Sequence, residues 1–234
     1  MTLKPEKSHN LNFSLCYNHR WTKASLFVEA TLVYRNTTDY IQRRIGTYTG
    51  NKAYASYQNH GKVLTKGYTL TARYVLGGWL SVGGNLSHLN ARDNVKTLNA
   101  GSQQTNLTYG TRLPNLPYLY AGTDMALTWP NIDRRGGKLS LTYDNLYQHS
   151  FPLYAENLGS KDSKEMVPEQ FAHNLTAAYN FAGGRFSLAV ECRNLTNAKL
   201  YDNYSLQKPG RAFYATVRVA FGQDRAARHK SHKP

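Results

Sequence analysis

The run Phe213-Tyr214-Ala215-Thr216-Val217-Arg218-Val219-Ala220-Phe221 alternates apolar and polar residues and stops on a phenylalanine. Successive strand side chains point to opposite faces, so Phe213, Ala215, Val217, Val219 and Phe221 share one face and Thr216 and Arg218 the other. The first face suits lipid and the second a hydrated lumen, the pattern of a strand in a transmembrane barrel. Pro209-Gly210, just upstream, supplies turn chemistry where the strand begins.

The same period of two recurs along the chain. Leu11, Phe13, Leu15 and Tyr17 oppose Asn12, Ser14 and Asn18. Leu26, Val28, Ala30, Leu32 and Tyr34 oppose Ser25, Glu29, Thr31 and Arg35, and Tyr68, Leu70, Ala72 and Tyr74 oppose Thr69, Thr71 and Arg73. Further runs start near Trp79, Tyr118, Lys138, Glu169 and Arg185, which predicts roughly nine strands of the length a tilted crossing needs. Connections alternate in length. Short ones fall at Asn18 to Lys23, Gly77-Gly78, Pro130 to Gly137 and Ala182 to Gly184; long polar ones fall near 42–61, 92–115, 148–168 and 197–209. Outer-membrane barrels have short periplasmic turns and long external loops, so the first and last strands are both expected to run inward.

Composition fits this pattern. A membrane helix needs about 20 consecutive, mostly apolar residues, and the chain has no such stretch. A barrel strand needs only every second residue to be apolar, so a mean hydropathy of -0.59 is no objection. The 18 tyrosines fit membrane interfaces, where one end of the ring is dry and the other wet. Alternation is also expected in a soluble all-β sandwich, which remains an alternative at this point.

Several short motifs then carry a family resemblance. Leu3-Lys4-Pro5-Glu6-Lys7-Ser8 precedes the first strand, followed in order by Tyr57-Gln58-Asn59, Gly67 and Arg112-Leu113-Pro114. Asn194-Leu195-Thr196-Asn197 with Tyr201, and Pro209-Gly210-Arg211 with Tyr214, come before the terminal Phe221. In this order and on alternating strands, residues 3–221 resemble the C-terminal half of a TonB-dependent outer-membrane receptor. The expected fold class is all-β, an antiparallel transmembrane β-barrel segment comprising roughly the last nine strands of a plugged barrel of about 22.

The resemblance implies energised uptake of a bulky, scarce nutrient, with iron siderophore or haem as the leading cargo and the transported ligand itself unidentified. It implies outer-membrane lipid and the barrel-assembly machinery as partners, and TonB only through an N-terminal region that this chain lacks. Residues 1–221 are expected to be a barrel fragment that is not transport-competent alone, and 222–234 a basic, disordered tail beyond the usual terminal aromatic. Met1 is not followed by a signal-peptide pattern, so outer-membrane localisation is expected of the parent receptor. A complete small outer-membrane barrel or porin is the alternative.

Cargo contacts in the family come from external loops and the plug apex. On position alone, His149, Tyr48, Tyr54, Tyr109, Tyr154 and Tyr204 are the candidate ligand contacts. No catalytic residue, metal ligand set or cofactor is expected, because no nucleophile elbow, phosphate loop or zinc-type histidine pair occurs. His229 and His232 lie in the basic tail and read as solvated. Cys16 and Cys192 have opposite parity on distant strands, beyond the roughly 7 Å Cα separation a disulfide allows.

A net charge of +15 raises nucleic-acid binding by a basic soluble all-β protein as a rival class. Such binding needs a basic patch interleaved with exposed aromatics. Arg35, Arg73, Arg193 and Arg218 instead sit at lumen parity on different strands, so no nucleic-acid partner is expected.

Overall fold

The computed structural model describes residues 3–47, 53–97, 105–154, 165–181, 184–203 and 205–221. The strands are β1 (Lys7–Arg20), β2 (Ala24–Thr47), β3 (Ala53–Leu76), β4 (Leu80–Asp93), β5 (Leu119–Trp129), β6 (Lys138–Gln148), β7 (Phe151–Pro152), β8 (Met166–Val167), β9 (Gln170–Asn180), β10 (Phe186–Arg193) and β11 (Ala212–Val219). Nine of them form one sheet in the order β1-β2-β3-β4-β5-β6-β9-β10-β11, every pair antiparallel, and β7 and β8 form a separate two-stranded piece. Sequence neighbours are therefore sheet neighbours throughout, which is an up-and-down wall.

Residues directly opposite in an antiparallel ladder share a face, so the register tests the alternation across the whole sheet. Phe13 pairs with Leu32, Leu32 with Tyr68 and Tyr68 with His88. At the other end Val217 pairs with Leu188, Leu188 with Tyr179 and Tyr179 with Leu139. The apolar residues of the nine strands thus fall mainly on one outward face, and their polar alternates mainly on the other. Arg35, Arg73, Arg193 and Arg218 all lie on the second face, as their parity predicted.

This arrangement excludes the sandwich. A soluble protein of this size buries roughly 70% of the surface its unfolded chain exposes, and a sandwich does so by packing two sheets face to face. Here the buried apolar side chains among the described residues are Val63, Ala91, Leu113, Phe151, Pro152, Val167 and Cys192. Leu11, Phe13, Leu15, Phe213 and Val217 are exposed, Val217 to 70%. Such a face needs hydrocarbon. Among the described residues no helix is long and apolar enough to cross a membrane, which does not bear on crossing by strands.

The long connection expected over 42–61 is mostly strand instead. β2 and β3 stay paired from Ala24↔Leu76 out to Thr47↔Ala53, and 24 residues at about 3.3 Å each give some 80 Å of strand, well over what a bilayer requires. Polarity decides whether a segment belongs in lipid, whereas a backbone ladder continues wherever two chains keep pairing. The other connections fall where their composition put them. The short ones are closed locally: Trp21 N–H donates to Ala24 O at 2.8 Å, and Gly77 and Gly78 take the positive φ values of 57° and 71° that a two-glycine turn supplies.

Candidate functional site: the inner wall and the external rim

The inner face carries charge in an ordered row. Arg73, Gly83, Asp124, Asp144 and Asn174 are successive cross-strand partners on β3, β4, β5, β6 and β9. Two carboxylates directly opposite repel, and the row resolves this by turning them apart. Asp124 Oδ1 pairs with Arg73 Nη2 at 3.0 Å, while Asp144 Oδ2 accepts from Asn174 Nδ2 at 2.8 Å. The Arg73–Asp124 pair reaches across an intervening strand because that strand offers glycine there. A Cβ on Gly83 would stand 2.6 Å from Asp124 Oδ1 and 2.7 Å from Arg73 Nη2. Further round, Arg193 Nε donates to Glu191 Oε1 at 2.6 Å and its guanidinium lies 4.7 Å from the Tyr214 ring centroid. This is a polar, charged wall, and among the described residues it assembles no nucleophile and base. Among the described residues no group of three or more His, Cys, Asp or Glu side chains is placed to hold a metal ion.

The external rim is held by clasps built from the short motifs. The Asn59 side chain accepts from Lys4 N–H at 2.8 Å and donates to Lys4 O at 2.8 Å, and Glu6 Oε1 accepts from Ile41 N–H at 2.6 Å. The opening Leu3–Ser8 segment is thereby tied to the Tyr57-Gln58-Asn59 motif and to β2. Gly67 admits no side chain, since a Cβ there would meet the His88 carbonyl oxygen. Leu113 is buried with Val63 and Ala91, and Arg112 lies 3.7 Å from the Tyr118 ring centroid. Asn194 adopts φ 51°, and its side chain bonds both the N–H and the carbonyl of Ala198. Asn197 Oδ1 accepts from Arg211 N–H at 2.9 Å across Gly210, where a Cβ would stand 2.7 Å from that oxygen. Two motifs separated in sequence are therefore one hydrogen-bonded unit.

The connection after β4 folds on a buried carboxylate. Asp93 accepts from Val95 N–H at 2.8 Å, Asn106 Nδ2 at 2.9 Å and Thr108 Oγ1 at 2.6 Å, so its burial is compensated. That knot presents Leu107 to solvent at 74% exposure, with Tyr109 beside it and Lys96 Nζ 5.9 Å from the Tyr109 ring centroid. Arg92 Nη1 donates to Gly110 O at 2.7 Å and fixes the same loop.

The sequence-derived contact candidates fall in different places. Tyr109 and Tyr154 are exposed in the connections after β4 and β7. His149 follows β6 at outward parity, its backbone N–H on Leu119 O at 3.0 Å. Its Nδ1 lies 3.1 Å from the Tyr147 hydroxyl and 3.2 Å from Glu169 Oε2, and its ring meets Tyr118 edge-on. Tyr54 lies on β3 opposite Gly46, and its side chain, like all of Tyr48 and Tyr204, lies outside the described residues. Sequence reading passed over Gly83, Asp93 and Asn106. The Gly83-Gly84 doublet inside a strand was the available signal, because a strand glycine marks a close approach.

A family model described as TonB dependent receptor-like, beta-barrel, matches residues 2–195. Solved structures share the fold: the copper transporter OprC, at 17% identity over 94% of this chain and 32% of that one, TM-score 0.68; the siderophore receptor PirA from Acinetobacter baumannii, at 17% over 94% and 32%, TM-score 0.56; and the ferric yersiniabactin uptake receptor FyuA from Yersinia pestis, at 16% over 90% and 28%, TM-score 0.57. The chain spans about a third of the length of these structures. No curated protein matches it. The family match, the nine-stranded antiparallel wall and the two-faced register agree, and the chain belongs to the TonB-dependent receptor β-barrel family.

Proposed function

We propose that residues 1–221 form part of the barrel wall of an outer-membrane receptor that imports a bulky nutrient with energy delivered through TonB, and that 222–234 is a separate basic tail. An iron chelate is the favoured cargo, by analogy with the solved relatives whose names specify iron or siderophores, and haem is a second candidate from the family resemblance alone. The observation that carries the reading is the mainly apolar outward face backed by a charged inner face, which a lipid exterior and a watery interior satisfy together. β1 and β11 end the sheet, and their unpaired backbone groups require further strands in hydrocarbon. The wall therefore works only as part of a closed barrel, with TonB engaged through a region outside it. Tyr109 and Tyr154, on the external connections, are the best-placed contacts for cargo.

Orientation tests the membrane reading. In the full receptor freed of other cysteines, Leu107→Cys should react with an impermeant maleimide on intact cells, and Arg134→Cys only after the outer membrane is opened. The reverse pattern inverts every strand; equal labelling in intact cells removes the barrel reading. Uptake tests the activity. Cells dependent on the receptor should accumulate a ferric chelate or haem, and collapse of the proton gradient should abolish it; accumulation that persists without the gradient points to a passive pore.

A further inference from the structure

The outward face has one polar interruption away from the strand ends that lies on neighbouring strands and is hydrogen-bonded within itself. Gly84, Thr123, Asn145 and His173 are successive cross-strand partners on β4, β5, β6 and β9, and all lie on the apolar side. Trp129, Leu139 and Tyr179 form a parallel row near the periplasmic turns. Six residues separate Tyr179 from His173, which at about 3.4 Å each and a tilt near 40° lifts His173 about 16 Å above that row, inside an apolar band about 25 Å tall.

Polar groups at that depth have no water to bond, and each group left unsatisfied is strongly unfavourable. Most of the set satisfies itself. Asn145 Nδ2 donates to Thr123 Oγ1 and to the Tyr143 hydroxyl at 3.3 Å, and that hydroxyl lies 2.7 Å from His173 Nδ1. His173 Nδ1 is the acceptor within reach of the Tyr143 hydroxyl hydrogen, so the arrangement that satisfies this hydroxyl in hydrocarbon is the imidazole tautomer with its hydrogen on Nε2. Two groups remain without a partner among the described residues: a donor, His173 Nε2–H, and an acceptor, Asn145 Oδ1.

A donor and an acceptor on adjacent strands complement a rotated copy of themselves. Two barrels in one membrane share the same up-and-down sense, so a two-fold axis between them runs along the membrane normal and joins equal heights, and at this tilt the ladder partners Asn145 and His173 differ in height by only about 3 Å. Across that axis His173 Nε2–H of each copy can donate to Asn145 Oδ1 of the other. Ala72, Gly84 and Ala121 on the same face keep the relief low, and small residues permit close approach in membranes.

We propose that the Asn145–His173 patch is the contact through which two copies of this receptor associate in the membrane plane. The inference rests on the barrel reading above, and the cysteine labelling of Leu107 and Arg134 tests that reading separately.

The experiment uses the full receptor in native membranes, with Cys16 and Cys192 replaced by serine and a reporter cysteine at Ala121. A short bismaleimide should yield a cross-linked dimer, and the same reporter at Val217, several strands away, should not. Asn145→Leu with His173→Leu should lower the cross-linked fraction at least tenfold while the barrel keeps its heat-modifiable mobility. His173→Gln, whose amide can still donate outward, should retain most of it. Absence of a dimer at Ala121, equal cross-linking at Val217, or a yield insensitive to the double leucine variant would each overturn the proposal. So would a monomer whose co-purified phosphorylated lipid disappears in the leucine variant, since the patch would then be a lipid site.

Discussion

The two faces of the sheet use polar residues in opposite ways. On the inner face polarity is the rule and each charge has a partner on the same face: Arg73 with Asp124 and Asp144 with the Asn174 amide across strands, and Arg193 with Glu191 along β10. Water reaches those pairs, so each is worth little alone, and their value lies in shaping a hydrated wall. On the outward face polarity is the exception, and the interruption at Thr123, Asn145 and His173 is tied into a single hydrogen-bonded set. The same side-chain chemistry is thus cheap on one side of a backbone about 5 Å from its neighbours and expensive on the other. The solvent on each side makes the difference.

The comparison is broken most directly by exchanging the solvents. Leu175 sits midway along β9 on the outward face, between Tyr143 and Cys192, and Thr176 points inward beside Thr142 and Glu191. Leu175→Arg in the full receptor should destabilise by about 2–4 kcal/mol, and Thr176→Arg by under about 1 kcal/mol. Denaturant titrations of protein refolded into lipid vesicles read both. Equal values would mean that the faces are not distinguished by lipid at all.

A smaller effect sharpens the inner face. Gly83→Leu places a side chain where Arg73 and Asp124 meet, and because both partners are about half exposed the lost pair should account for about 1 kcal/mol at most. If the glycine exists to let the pair form, Asp124→Asn should cost nothing further in the Gly83→Leu background, and a double-mutant cycle measures that coupling. Additive effects would show that the glycine serves the backbone alone.

The smallest expected effect lies at the periplasmic edge where the faces meet. In the turn between β5 and β6, the Tyr179 hydroxyl donates to Asp133, as do the N–H groups of Gly137 at 2.8 Å and Arg135 at 2.9 Å. The Tyr179 bond first, and these backbone donors after it, hold the Asp133 carboxyl below the usual carboxylate range. A lowered folded-state value stabilises the turn above about pH 4, and that contribution fades as pH falls through the folded value. Hydrogen exchange at Arg135 and Gly137, corrected for its intrinsic pH dependence, should show protection constant from pH 7 to about 5 and falling below about 4. In Asp133→Asn this acid-dependent loss should be absent. An unchanged acid response in the variant would assign it elsewhere.

Much of the wall was legible in the chain because alternation is a local property. Each run from Leu11 to Phe221 declares its own two faces, and the starts near Trp79, Tyr118, Lys138, Glu169 and Arg185 fall within a residue or so of the observed strands. The extension of β2 and β3 was not legible, since residues 42–61 are polar and polarity says only that a segment avoids lipid. The candidate contacts were less legible still. His149 was singled out for its place in a long loop, and nothing in its neighbours Gln148 and Ser150 announces that its ring meets Tyr118, Tyr147 and Glu169 on the outward side.

By itself, the sequence determined which side of each wall strand meets lipid, the nine strands of the wall and where the short turns after β1, β3, β5 and β9 fall, because these depend on neighbours one or two residues away. Tertiary structure alone decided which residues meet across strands. Arg73 finds Asp124 through the space left by Gly83, Asn197 finds Arg211 over Gly210, and Thr123, Asn145 and His173 line up on three strands. Those encounters depend on register. A shift of one residue would move every side chain to the opposite face, and only the assembled ladder selects among the alternatives.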